Sequence, residues 1–164
     1  MVDRKEFIKF FLIDSIKNIQ QINGHHYLSF GLISQGIEFL GCCLDDKGYF
    51  KEKLSRERFE NAIKELFPQK YQQFNIKDGQ YYLYRDLRCG LLHGCLPKPS
   101  IELIRRSEII NFTNHLEIKN IRGKETLVLV SEELFNDFEN ACKEIINRID
   151  KGKISNGNLL VTEP

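Results

Sequence analysis

The chain has 164 residues, of which 24 are lysine or arginine and 23 are aspartate or glutamate, so its formal net charge is +1. A hydrophobic fraction of 41% and a charged fraction of 29% are ordinary for one compact domain in water and exclude the disordered, collagen-like and membrane classes. The near-zero charge also disfavours a protein that coats long stretches of nucleic acid, while a small basic site is compatible with it.

Apolar residues recur at helical spacing along much of the chain. In chain order, the pattern predicts helices over about 3–22, 25–44, 55–67, 80–93 and 131–150. The second is apolar on nearly all sides, which indicates a helix in the interior of the fold rather than a membrane span. Ser55 and Ser131 stand at the starts of two helices, where serine commonly caps free backbone N–H groups.

From about 101 to 130 the periodicity changes to short apolar or alternating runs. The runs are Ile109 to Phe112, Leu116 to Ile118 and Leu127 to Val130. A turn at Arg122-Gly123-Lys124 joins the last two into a predicted hairpin. We therefore predict a mainly α fold: a helical bundle with a small antiparallel β insert before its last helix, which is α+β by strict count. Residues 1–150 form the single predicted domain, and residues 151–164 a polar C-terminal tail.

The N-terminal residues and the cysteines indicate a cytoplasmic protein. Residues 1–6 include acidic side chains and lack the basic and then apolar layout of a secretory signal. The five cysteines include no Cys-x-x-Cys pair, so free thiols in a reducing compartment are expected. No metal and no other cofactor is expected, because the spacing of Cys89, His93 and Cys95 matches no zinc pattern.

The fourth predicted helix contains Arg88-Cys-Gly-Leu-Leu-His93, with Gly94 directly after it. The stretch from Tyr84 to Pro97 around this sequence, together with Gly36-Ile-Glu-Phe-Leu-Gly41 in the second helix, resembles the HEPN superfamily, which carries an Arg-x(4–6)-His motif. That superfamily consists of helical bundles, often dimeric. Many members are metal-independent endoribonucleases that act as toxins, abortive-infection factors or other defence effectors.

The resemblance implies a homodimer that cleaves RNA, with Arg88 and His93 as catalytic residues, and a nucleotidyltransferase-type antitoxin as a further partner. The two side chains also suit this reaction on chemical grounds. RNA carries its own nucleophile, the 2′-OH, so cleavage to a 2′,3′-cyclic phosphate needs only proton transfer and a cation. Histidine transfers protons near neutral pH, and the arginine guanidinium binds phosphate.

On an ideal helix, residues five apart are rotated by about 140°. Arg88 and His93 therefore converge only if the helix ends near His93 or if two chains meet across a twofold axis.

Three more residues are candidates for this site. Glu38 is the only carboxylate in a helix that is expected to be buried, and such a group needs a partner. Arg88 or Arg85 is the expected partner, so that Glu38 orients a guanidinium; the alternative is that Glu38 reaches solvent at a groove or pairs elsewhere. Tyr84 and Arg85 combine aromatic and basic character, which suits the binding of a single-stranded base, with core packing as the alternative for the tyrosine.

Two other functions are open from the sequence. Cys89 follows Arg88 directly, where active members of the family often carry Asn, Asp or His, and this favours a non-catalytic HEPN-like module that binds RNA, a nucleotide or a protein. The other interpretation is a helical dimerisation domain in which Arg88 and His93 only complement the dipole of a helix C-terminus.

Overall fold

The computed structural model describes residues 2–22, 24–45, 47–108 and 114–157. Helix α1 consists of the continuous segments Arg4–Phe7, Ile8–Asp14 and Ser15–Gln21, and helix α4 consists of Tyr84–Cys89 and Gly90–Gly94. The other helices are α2 (His26–Leu44), α3 (Ser55–Leu66) and α5 (Ser131–Asp150). Ile8–Asp14 and Tyr84–Cys89 are π-helical. Short 3₁₀ helices lie at Gln69–Phe74 and Arg106–Glu108. The predicted mainly α fold is confirmed.

Helix α2 lies at the centre of the fold and packs against α1, α3, α4 and α5. Its buried side chains, Phe30, Ile33 and Leu40 among them, belong to one hydrophobic core. Within the described part of the chain, α2 is the one helix that could cross a membrane by length and composition. However, 61% of its most apolar 18-residue stretch is buried inside the fold. The prediction of an interior helix is confirmed.

Two glycines of α2 let neighbouring helices approach closely. A Cβ atom at Gly41 would overlap the backbone carbonyl group of Arg58 on α3, and one at Gly36 would overlap the ring of Phe138 on α5. Close-packed backbone and a buried ring cannot give way without shifting the helix that carries them. These two glycines therefore set how closely α3 and α5 approach α2, on either side of Glu38.

The β insert is a three-stranded sheet in the order β1–β3–β2. Its strands are β1, Ile101–Ile104, β2, Glu117–Ile121, and β3, Lys124–Val130. The predicted hairpin of β2 and β3 is present, and both of its turn residues, Arg122 and Gly123, have positive φ, as a type I′ turn requires.

Strand β1 runs parallel to β3, with Ile101 opposite Leu127, so the sheet is mixed rather than wholly antiparallel. Strand β3 takes the central place in the sheet and has a partner on each edge. Its residues Leu127 to Val130 are all buried, so both of its faces are covered, which is the setting in which parallel pairing is found. The predicted run from Ile109 to Phe112 lies outside the described residues.

The two serines that were expected to cap helices use their hydroxyl groups between helices instead. Ser131 accepts a hydrogen bond from the Gln20 side chain on α1 (2.8 Å), and Ser55 donates one to Glu38 on α2 (2.8 Å). Beyond α5, the start of the predicted tail turns back to α1, where the Asn156 side chain accepts from the Lys5 backbone N–H (2.9 Å).

A buried hydrogen-bonded network ties the β insert to the helices. The Val130 N–H donates to Nδ1 of His115 (3.0 Å), so Nε2 carries the ring proton and donates to the Tyr71 hydroxyl (2.7 Å). Tyr71, which is 0% exposed, donates in turn to Oδ2 of Asp137 (2.9 Å). Lys70 pairs with the same carboxylate oxygen (2.9 Å). Nothing in the local sequence pattern indicated this network.

The free energy of unfolding should fall when the pH is lowered from about 7.5 to about 5. Burial, followed by the charge of Lys70, lowers the pKa of His115 from 6.5 to about 4. Between these two values the unfolded chain binds a proton that the folded chain excludes, so stability that is present above pH 6.5 is lost towards pH 4. The expected loss from this residue is about 2 kcal/mol, measured by urea denaturation at the two pH values.

The variant His115→Gln keeps a donor for Tyr71 and does not titrate, so its stability should change by about 2 kcal/mol less over the same interval. An equal pH dependence in the two proteins would show that His115 is not the cause.

Candidate functional site

Glu38 and Arg88 meet where α2 and α4 face each other. Nε and Nη2 of Arg88 lie 2.9 and 2.6 Å from Oε2 of Glu38. The hydroxyl of Ser55, at the start of α3, donates to the same oxygen over 2.8 Å. The side chains of Arg88 and Glu38 are 12% and 24% exposed, so most of the pair is shielded from water. The expected contact is present, and its part in catalysis stays a prediction.

Tyr84 contacts Arg88 with its ring and Ser55 with its hydroxyl group. Its ring centroid lies 5.5 Å from Cζ of Arg88, and its hydroxyl donates to the Ser55 hydroxyl over 3.1 Å. Burial raises the pKa of Tyr84 above its ordinary value. The ring also packs edge to face on Phe59, at 5.7 Å between centroids. Tyr84 is thus bound to the protein's own residues, and its contact with a substrate base stays a prediction.

The structure does not bring Arg85 to this pair. Its guanidinium binds the carboxylate of Asp86, whose side chain is 2% exposed, and donates to the Gly79 carbonyl over 3.2 Å. Asp86 also accepts the backbone N–H of Tyr82 (3.0 Å). The Arg85–Asp86 pair thereby fixes the beginning of α4, a role that the sequence did not reveal for Asp86. Substrate binding by Arg85 stays a prediction.

His93 lies in the last turn of α4 and is exposed to solvent. The helix ends one residue later, because Cys95 has a φ of 55° and its N–H bonds to the Leu91 carbonyl (3.1 Å). With the residues of the described ranges, His93 makes no hydrogen bond or ion pair. In a single chain, Arg88 therefore faces Glu38 while His93 faces water.

Arg88 and Glu38 line a groove of about 340 Å³. Its wall comes from α2, from α4, from the start of α3 and from the loop that precedes α3. The loop contributes two lysines, Lys51 and Lys53, to the same lining. A groove of this size with several cations in its wall can take an anionic group such as a phosphate. Across residues 2–22, 24–45, 47–108 and 114–157, no group of three or more His, Cys, Asp or Glu side chains could hold a metal ion.

Comparison of the chain with protein-family models, with curated proteins and with solved structures finds no match. The resemblance to the HEPN superfamily accordingly rests on the residues of α2 and α4 themselves.

Replacing Glu38 by alanine should lower the free energy of unfolding by about 2 kcal/mol, as measured by urea denaturation. The change leaves a shielded guanidinium without a partner and the Ser55 hydroxyl without an acceptor. Glu38→Gln keeps an acceptor for both and should lose about 1 kcal/mol. Glu52→Ala, on the exposed rim of the same groove, is the matched control and should change stability by no more than about 0.5 kcal/mol. Wild-type stability in Glu38→Ala would show that the pair does not hold α2 and α4 together.

Proposed function

We propose that this protein is a metal-independent endoribonuclease of the HEPN type, acting in the cytoplasm as a toxin or defence effector. The observation that carries the proposal is the Arg-x4-His motif at the end of α4, with Arg88 held by Glu38 in the wall of a groove and His93 open to solvent. The mechanism needs no cofactor.

Arg88 binds the phosphate that is attacked. A guanidinium has five N–H donors, and the contacts with Glu38 use those on Nε and Nη2. The donors on Nη1 have no partner among the residues that the structure describes and are left for a phosphate oxygen. Glu38 fixes the orientation of the guanidinium before RNA binds, which favours stabilisation of the charge that develops in the transition state.

His93 transfers the proton. Its imidazole takes the proton of the 2′-OH, the 2′-oxygen attacks phosphorus, and the bond from phosphorus to the 5′-oxygen breaks to leave a 2′,3′-cyclic phosphate. The leaving oxygen needs a proton as well. In the proposed homodimer, His93 of a second chain donates it, so that the two chains complete one site.

Exposed leucines on the adjoining ends of α2 and α4 support such a dimer. They are Leu28 at 55%, Leu32 at 38%, Leu92 at 42% and Leu96 at 68% exposure. The Tyr27 hydroxyl donates to the Cys95 carbonyl (2.8 Å) and so joins the two helix ends beside His93. An apolar surface shared by two elements is typical of a protein interface, and a second copy pairs with it through a twofold axis.

A non-catalytic HEPN-like module that binds RNA or a protein, such as a nucleotidyltransferase-type antitoxin, is the second candidate function. The Glu38–Arg88 ion pair favours this binding function, because Glu38 neutralises the charge of Arg88 and only 12% of the Arg88 side chain is exposed. Cys89, which follows Arg88, favours it too. We favour catalysis because His93 is exposed and makes no hydrogen bond or ion pair with the residues that the structure describes.

His93→Ala should slow the cleavage of a mixed RNA pool, assayed in EDTA, by at least about 100-fold, because general acid–base catalysis commonly contributes that much. Arg122→Ala, in the exposed turn between β2 and β3, should cleave as the wild type does. The cleaved strands should carry 2′,3′-cyclic phosphate ends by mass spectrometry. Absence of wild-type cleavage, or equal cleavage by His93→Ala, would refute the catalytic proposal and leave the binding module.

Leu96→Asp should convert the dimer into a monomer, because it places a charge in the apolar surface beside His93. Size-exclusion chromatography with light scattering measures the mass. Ile76→Asp is the matched control, since Ile76 is 58% exposed but lies outside this surface, and it should remain a dimer. A wild-type protein that stays monomeric at high concentration, or a Leu96→Asp dimer, would contradict the proposed interface.

A further inference from the structure

We infer that the groove beside Arg88 binds single-stranded RNA, with an unpaired base stacked on Phe50 and adjacent phosphates on Lys51 and Lys53. The inference rests on the proposed function, since it names the form of RNA that the same site takes. It also places base recognition on the loop between α2 and α3, a region for which the sequence suggested no role.

The loop presents an open aromatic ring. Phe50 is 66% exposed and Tyr49 is 43% exposed. The two rings meet edge to face, with centroids 5.0 Å apart, and Tyr49 packs in turn against Phe39 of α2 at 5.8 Å. An edge-to-face contact covers at most one face of either ring, so a face of Phe50 remains free for stacking. Bases of every kind can stack there, because each has a π face.

A buried arginine holds this loop in place. Arg58 is 5% exposed and binds the Asp45 carboxylate through Nε (2.8 Å). Its Nη1 and Nη2 donate to the Tyr49 and Gly48 carbonyls, each over 2.9 Å. The backbone that carries Phe50 is therefore fixed before a ligand arrives, which reduces the ordering that binding requires. Gly41 makes the arrangement possible, because the absence of its Cβ lets the Arg58 backbone approach α2.

Two cations stand next to the ring. Lys51 and Lys53 are exposed, line the groove with Arg88, and form no ion pair with any residue in the described ranges. Lys53 has a φ of 66°, a left-handed conformation that lysine seldom adopts. Backbone strain of this kind is concentrated at functional sites.

An exposed phenylalanine alone is ordinary in a folded protein. Here the ring, the two lysines and an oriented guanidinium belong to the lining of one groove. Of the two acids in that lining, Glu38 is paired with Arg88, and Glu52 is the other. Sites for single-stranded nucleic acid combine these same parts, a stacking ring and a cationic track for the backbone. Duplex RNA offers no free base face to Phe50, so the groove selects unpaired RNA.

The absence of tryptophan from the chain makes a direct test possible. Phe50→Trp introduces a single reporter, which is titrated with a single-stranded 2′-O-methyl oligoribonucleotide that lacks the attacking hydroxyl and so is not cleaved. We expect its fluorescence to be quenched by the single strand and unchanged by the same strand in a duplex. Phe10→Trp is the matched control, because Phe10 is 57% exposed on α1 outside the groove, and it should not be quenched.

Affinity gives the second measurement. Phe50→Leu keeps an apolar side chain without a π face and should weaken binding of the oligonucleotide about tenfold. Lys51→Gln and Lys53→Gln should each reduce the slope of log affinity against log salt by about 0.7. Unchanged affinity in Phe50→Leu, or quenching of Phe10→Trp equal to that of Phe50→Trp, would overturn the inference. Quenching that follows protein concentration without RNA would show instead that Phe50 contacts a second chain.

Cleavage assays on the same proteins separate the two proposals. If the wild type cleaves RNA while Phe50→Trp is not quenched and Phe50→Leu binds normally, the stacking site is wrong and the endoribonuclease stands. If Phe50→Trp is quenched and the wild type does not cleave RNA, the stacking site stands and the catalytic proposal fails. A protein that neither binds nor cleaves RNA refutes both.

Discussion

The carboxylate of Glu38 occupies the middle of a helix whose neighbouring side chains are almost all buried, and the site depends on how that charge is satisfied. One of its oxygens receives Arg88 from α4 and Ser55 from α3, so a single atom connects three helices. Gly36 and Gly41 flank it and allow α5 and α3 to pack closely against α2. A partly buried carboxylate without these donors would be strongly unfavourable. The same contacts that make Glu38 tolerable therefore fix the direction of the Arg88 guanidinium.

This arrangement has two opposed consequences for chemistry. It orients Arg88 before a substrate binds, which favours transition-state stabilisation, and it also offsets the charge that Arg88 offers to a phosphate. Lys51 and Lys53 add two further cations to the lining of the same groove. The net charge of +1 for the whole chain does not describe this lining, which holds the cations Lys51, Lys53, Arg58 and Arg88 and the acids Glu38 and Glu52. Few phosphates would be neutralised, which agrees with a site for a short unpaired segment rather than for a long polyanion.

Three arginines of this fold illustrate how the partner of a charged residue decides its role. Arg88, with Glu38, is oriented towards the groove; Arg58, with Asp45 and backbone carbonyls, is buried and fixes a loop; Arg85, with Asp86, fixes the start of α4. Their chemistry as isolated side chains is the same. The acid that each one meets comes from the packing of the helices, and the distribution of binding and structural roles follows from it.

The sequence by itself determined that the fold is mainly helical, that β2 and β3 form a hairpin and that Glu38 needs a cationic partner, Arg88 or Arg85. Helical periodicity and turn residues are local signals, and a lone carboxylate in an apolar helix requires a cation. The tertiary structure decided which cation that is, the parallel pairing of β1, the interhelical use of the Ser55 hydroxyl and the buried Tyr71–His115–Asp137 network. It also assembled the groove around Phe50. These features join residues that are far apart in the chain, and their partners are selected by packing, which no local pattern encodes.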